Sequence, residues 1–132
     1  MSDGVGFVTV LDVSAGSWEK EILQSDTLVL VDFWHERCPW CKRLDPIYTD
    51  VAEEYGDKVR FARLNVLESH ENQHIAVEYG VMGTPTLMFF CNGRPIGAAV
   101  GFQPKDRLTR LIDDMIDKHQ DCIKQSTQLK ID

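Results

Sequence analysis

Phe33-Trp34-His35-Glu36-Arg37-Cys38-Pro39-Trp40-Cys41-Lys42 is the stretch on which the reading of this chain turns. The apolar run Leu28-Val29-Leu30-Val31 leads into it, and a segment of helical spacing follows. Two cysteines separated by two residues therefore sit where a strand hands over to a helix. Unpaired N–H groups at the helix start, together with the positive end of the helix dipole, favour a thiolate over a thiol there. A disulfide between positions i and i+3 also closes a ring small enough to open and close without unfolding anything. The stretch points to dithiol–disulfide exchange. Cys38 is expected at the exposed helix start, with Cys41 one turn later and less accessible.

The helix after the cysteines has the clearest pattern in the chain. Leu44, Ile47, Tyr48, Val51, Ala52 and Tyr55 recur at helical spacing, Asp50, Glu53 and Glu54 take the other side, and Gly56 is a natural stop. Pro46 lies inside it, where it removes one backbone hydrogen bond and is expected to kink the axis. Before the cysteines, Leu28 to Trp34 is apolar apart from Asp32, as suits a central strand covered on both faces. Asp32 is then an ionisable group where the pattern demands burial. Two readings stand: a strand-end carboxylate reaching solvent, or a desolvated carboxylate that exchanges a proton near a reactive cysteine.

Towards the amino end, Phe7-Val8-Thr9-Val10-Leu11 reads as a first strand, and Ser17 is the expected N-cap of a short helix carrying Trp18, Ile22 and Leu23. Towards the carboxyl end, residues 59–66 read as a third strand and 69–79 as a short helix ending at Gly80. Thr86 to Cys91 is a fourth strand, Asn92-Gly93 a two-residue hairpin turn, and Pro95 to Val100 the returning strand. Leu108, Leu111, Ile112, Met115 and Ile116 mark a final helix beginning near Pro104. From about Asp121 the pattern stops, so residues 1–120 read as one domain and 121–132 as a frayed tail. The element order implies an α/β architecture: a central mixed sheet with helices on both faces.

The bulk numbers bound the function. A chain of 132 residues that is 43% hydrophobic suffices for one core, and a net charge of -7 argues against a nucleic-acid or anionic-membrane surface. No apolar run reaches the ~18 residues a membrane span needs, and the first residues have no basic start. The expectation is a cytoplasmic monomer. Four cysteines in a chain of this size do not read as a disulfide scaffold. Cys91 is expected to pack at a strand end and Cys122 to be a free thiol in a polar tail.

Val31-Asp32-Phe33-Trp34, Cys38-Pro39-Trp40-Cys41-Lys42, Pro46, Tyr79-Gly80-Val81-Met82-Gly83-Thr84-Pro85-Thr86-Leu87 and Gly101, in that order, resemble the thioredoxin family over roughly residues 5–119. The resemblance implies a thioredoxin fold with a five-stranded mixed sheet, and protein-disulfide reductase activity with no cofactor beyond the Cys38–Cys41 pair. It implies that Cys38 attacks the substrate disulfide, that Cys41 resolves the mixed disulfide, and that Asp32 accepts the Cys41 proton. Trp34 would pack beside the dithiol. Pro85 would be cis and face the sulfurs, where the residues alone suggest an edge or turn proline. Gly83, Thr84 and Gly101, with Trp34 and Trp40, would meet the substrate. Arg63 stands where the family commonly has a lysine near the aspartate. Implied partners are disulfide-containing proteins and an electron donor of the thioredoxin-reductase type.

The chain departs from the family in having Pro39-Trp40 between the cysteines, in place of Gly-Pro, and Arg37, in place of tryptophan, before the first. Arg37 favours the thiolate by charge, His35 is close enough to tune its acidity, and Trp40 either shields it or offers a flat apolar contact. Two rival readings use the same residues. A Pro-aromatic insert is closer to glutaredoxin usage, which would make the reductase glutathione-dependent. A metal or iron–sulfur site could take His35, Cys38 and Cys41, with Cys91 or Cys122 as a fourth ligand. No metal is expected.

Overall fold

The computed structural model describes residues 9–131. Along the chain come β1 (Val10–Val13), α1 (Ala15–Trp18) running on into a π-helical turn (Glu19–Leu23), β2 (Leu28–Trp34), α2 (Pro39–Tyr55) and β3 (Val59–Asn65). Then follow α3 (His70–Glu78), β4 (Thr86–Cys91), β5 (Arg94–Val100) and α4 (Lys105–Ile131). The strands form one sheet in the order β1-β3-β2-β4-β5. β1, β3 and β2 are parallel, while β4 and β5 run antiparallel to their neighbours. The mixed sheet read from the element order is what forms, with the five strands that the resemblance implied. Phe7 and Val8, assigned to the first strand, lie outside the described residues.

β2 is central and six of its seven residues are buried. Successive side chains point to opposite faces of a strand, and each face has its own core. Val29, Val31 and Phe33 pack with Trp18, Ile22, Ile75 and Ala76 from α1, its π-helical extension and α3. Leu28 and Leu30 pack with Leu44, Tyr48, Val51, Leu108 and Ile112 from α2 and α4. Asp32 is next in that second series, so it points under α2. Tyr48 locks α2 down from within: its hydroxyl lies 2.8 Å from the Ala62 carbonyl and 3.1 Å from that of Leu30.

One local detail differs from the sequence reading and another agrees with it. The N-cap of α1 is Ser14, and Ser17 sits one turn on, its hydroxyl accepting the Ser14 N–H at 3.1 Å. A serine at the third helical position can close a capping box, and here it outcompetes the assignment of Ser17 as the cap itself. The Asn92-Gly93 turn forms as expected, with φ of 51° and 81°; a Cβ on Gly93 would stand 2.9 Å from the Leu23 carbonyl oxygen.

The larger difference is at the carboxyl end. α4 continues past Asp121 to Ile131, and Cys122 is bonded to Cys91. Cys122 is therefore not a free thiol. Parity explains the pairing: Cys91 shares a β4 face with Leu87 and Phe89, the face that α4 covers. On α4, Leu108, Ile112, Met115, His119 and Cys122 follow one another at steps of three and four, so Cys122 prolongs the buried stripe. Lys105 at the other end of α4 pairs with Asp50 at 2.8 Å and Glu54 at 2.7 Å on α2.

The Cys91–Cys122 bridge joins residues 31 positions apart, a loop that chain entropy values at about 3 to 4 kcal/mol. The double variant Cys91→Ala/Cys122→Ala is expected to lose about 3 kcal/mol of unfolding free energy under oxidising conditions. Urea unfolding checks this. Equal stability of the two proteins would mean that the pair does not close in solution.

Candidate active site

Cys38 is the N-cap of α2, with extended backbone (φ -100°, ψ 105°), and Pro39 takes the first helical position. Proline suits that place because its φ is preset and the N–H it lacks would have no helical partner. Donors are left to the next residues, and the Cys41 N–H donates to Cys38 Sγ at 3.1 Å. A cysteine sulfur thus does what a serine oxygen does in an ordinary cap. When the Cys38–Cys41 disulfide opens, negative charge develops on a sulfur that already accepts a hydrogen bond at the helix terminus.

Cys38 was expected at the exposed start of the helix, and it is instead only 6% exposed, against 3% for Cys41. Its sulfur turns back onto the helix terminus in place of projecting from it. His35 organises the preceding loop: its Nδ1 accepts the Arg37 N–H at 3.1 Å, and its carbonyl accepts the Cys38 N–H at 3.3 Å. Glu36 accepts from the Asn65 amide at 2.8 Å, which holds its carboxyl below the usual range. Arg37 is exposed.

Behind the dithiol lies a cavity of about 210 Å³ lined by Asp32, Trp34, Cys41, Lys42, Asp45 and Arg63. Asp32 is 2% exposed, and its Oδ1 has no hydrogen-bond partner among the described residues. Burial pushes its pKa up to about 7, with Arg63 opposing and Asp45 reinforcing the rise. Of the two readings of Asp32, the desolvated carboxylate is the one the structure supports. Arg63 is directly across the ladder from Asp32 on one side and from Asp12 on the other. Its guanidinium nevertheless bonds Asp45, with Asp12 at 3.4 Å. Two carboxylates thus divide the cation that would otherwise ionise Asp32. Asp45 and Asp12 were not foreseen, although Asp45 follows Cys41 by one helical turn and so shares its face.

On the outer side, the Thr84–Pro85 peptide is cis and Pro85 is buried. Its carbonyl accepts the Gly101 N–H at 2.8 Å, and Gly101 has a φ of 94° that favours glycine. The Gly83 carbonyl accepts the Thr86 hydroxyl at 2.6 Å. Thr86 pairs with Phe33 at the end of β2, which brings the Gly83-Thr84-Pro85 loop to the end of the sheet where α2 begins. Trp34 is half-buried and lies 6.0 Å below the Arg63 guanidinium; Trp40 is exposed. Two larger depressions, of about 940 and 540 Å³, have no cysteine in their walls. The fourth ligands of the metal reading are gone, since Cys91 and Cys122 bond each other.

A parallel-antiparallel sheet flanked by helices, with a disulfide closing the first turn of α2 and a buried carboxylate behind it, defines a thiol–disulfide oxidoreductase. The thioredoxin family model matches residues 9–114. A thioredoxin of Rickettsia felis is 40% identical over 105 residues, covering 80% of this chain and 97% of that protein. One of Acidithiobacillus ferridurans is 38% identical over 107 residues, covering 81% and 96%. One of Pseudomonas aeruginosa is 38% identical over 104 residues, covering 79% and 94%. The chain belongs to the thioredoxin family, and its chemistry is that of a thioredoxin-type protein-disulfide reductase.

The buried carboxylate makes stability depend on pH. The folded chain keeps the Asp32 proton up to about pH 7, while an aspartate in water loses it near 3.8. This contribution is absent below the lower value, removes about 1.4 kcal/mol per pH unit between the two, and stays at its full cost above the upper one. Asp32→Asn, which has no proton to lose, is therefore expected to exceed the wild type by roughly 4 kcal/mol near pH 8 and by little near pH 4. Urea unfolding at both pH values is the check; a difference independent of pH would remove the buried ionisable group as its cause.

Proposed function

We propose that Cys38 is the nucleophile, Cys41 the resolving thiol and Asp32 the proton acceptor in the reduction of protein disulfides. The Cys38 thiolate attacks one sulfur of the substrate disulfide, forms a mixed disulfide and expels the other sulfur as a thiolate. Asp32 takes the Cys41 proton across the shared cavity, which carries the polar groups of Lys42, Asp45 and Arg63 and is large enough for water to relay it. The Cys41 thiolate then attacks Cys38 Sγ, displaces the second substrate sulfur and closes the Cys38–Cys41 disulfide. Two electrons pass to the substrate, whose two thiolates take up protons. Arg63 supports the cycle by keeping Asp32 from rising further.

The observation that carries this reading is the hydrogen bond from the Cys41 N–H to Cys38 Sγ. It supports Cys38 over Cys41 as the sulfur that leaves and attacks as an anion. Pro85, with Gly83, Thr84 and Gly101, forms the edge against which an extended substrate segment lies, and Trp34 limits water behind it. The regenerating donor is an enzyme of the thioredoxin-reductase type, and the reaction belongs in the cytoplasm, where substrate disulfides are transient. No cofactor beyond the dithiol enters the scheme.

Insulin reduction with dithiothreitol tests it. Cys38→Ser is expected to abolish turnover. Cys41→Ser is expected to stop after one attack and accumulate a mixed disulfide, seen as a mass increase that a reductant reverses. Turnover that survives Cys38→Ser would end this assignment, and activity that needs glutathione and its reductase would move the protein to the glutaredoxin mode.

A further inference from the structure

The tryptophan between the two cysteines is held in a way that exchange chemistry does not require. Trp40 is 52% exposed, yet it has partners: the Phe102 ring lies 5.7 Å away at 47°, and the Arg43 guanidinium 5.1 Å from the ring centroid. Ring–ring and cation–π contacts of this kind are each worth about 0.5 to 1 kcal/mol at exposed sites. Together they hold the indole in one orientation in water. Phe102 follows Gly101, which is bonded to Pro85, so the pair of rings is continuous with the substrate edge. Val100, 71% exposed, and Met82, 98% exposed, extend the apolar surface on that side. Large apolar side chains left this open around a reacting group mark a surface with a partner.

The charges there run against the rest of the chain. Arg37, Lys42 and Arg43 are all exposed, and among the described residues none has a carboxylate within 4.0 Å. Of the nearby acids, Asp45 is paired with Arg63, and Glu36, bonded to the neutral Asn65 amide, keeps its charge beside Arg37, against the three cations of the rim. A protein of net charge -7 thus carries an open basic rim around its reactive sulfur. Such a rim draws an acidic segment to the site and sets its orientation.

We propose that the Arg43–Trp40–Phe102 stack and the neighbouring cations select disulfides carried on acidic, aromatic-bearing segments of protein substrates. An aromatic or large apolar side chain beside the substrate cysteine lies on Trp40 and Phe102, and a carboxylate a few residues away pairs with Arg37, Lys42 or Arg43. The inference rests on the reductase reading and names its substrate class. The electron transfer is unchanged; what changes is how often, and in which orientation, a disulfide meets Cys38. Trp40 then provides the flat contact, not the shield.

The test uses the reduced full-length protein and four oxidised peptides sharing one disulfide ring, with Phe or Gly next to the cysteine and two Glu or two Lys beyond it. Initial rates below saturation give kcat/KM. The Phe/Glu peptide is expected to react about ten times faster than the Gly/Lys peptide at low salt, with the charge part of the preference fading at high salt. Arg37→Glu/Arg43→Glu is expected to reverse the Glu-over-Lys ratio, and Trp40→Ala to erase the Phe-over-Gly ratio. Each readout compares two peptides on one preparation, so a general loss of activity does not imitate it. Wild-type ratios within twofold, or ratios that survive these substitutions, overturn the proposal and leave the reductase reading standing. No turnover of any of the four overturns that reading itself.

Discussion

Everything at the active site depends on the covering of β2 by helices on both faces. A strand in that position alternates its side chains between two cores, and the alternation leaves no freedom about where Asp32 goes. It follows Leu28 and Leu30 into the face beneath α2, the helix whose first turn carries both sulfurs. A slip of one residue would place the carboxylate among Trp18, Ile75 and Phe90, on the far side of the sheet from the cysteines. The Tyr48 hydroxyl, bonded to the carbonyls of β2 and β3, fixes α2 at the height that makes Cys41 and Asp32 walls of one cavity.

Within that cavity the contest is between desolvation and the Arg63 cation. A guanidinium beside a carboxylate would ordinarily hold it ionised, and a lone arginine across the ladder would win over partial burial. Here Asp45 and Asp12 occupy the same guanidinium, and Asp45 adds its own negative charge towards Asp32. Desolvation prevails, leaving a carboxyl group whose pKa is raised to about 7. The asymmetry of the two sulfurs has a separate origin. Cys38 lies at the helix cap and receives the Cys41 N–H, while Cys41 is inside the helix, on the wall of the cavity it shares with Asp32.

Much of this was legible in the residues. β2 and β4 have the expected bounds and α2 follows its apolar stripe, because strong periodicity, a strand-to-helix cysteine pair and an Asn-Gly turn each express a local rule that packing reinforces. What escaped reading required two distant elements at once. Arg63 was recognised as the cation near Asp32, but its capture by Asp45 depends on how α2 lies over β3. Cys122 read as tail because the residues around it are polar apart from Ile123. Only its phase with Leu108 and Ile112, set against the phase of Cys91 with Leu87 and Phe89, would have paired the two. The cap at Ser14 is a smaller case: either serine could serve, and the choice is made by which backbone N–H needs an acceptor.

Two disulfides in one reductase raise the question of whether they exchange electrons with each other. β4 answers it. Thr86 begins the strand beside the end of β2, where the dithiol lies, and Cys91 ends it. Five residue steps of extended chain separate them by about 17 Å, along a strand buried throughout. Thiol–disulfide exchange needs the attacking sulfur in contact with the sulfur it attacks, and no rotation of α2 brings Cys38 that far within one molecule. Cys91 is fully buried beneath α4. The fold can therefore keep one disulfide as a fastening for α4 while the other opens and closes. The difference between them lies in what each one ties: one joins β4 to α4, and the other closes the first turn of α2.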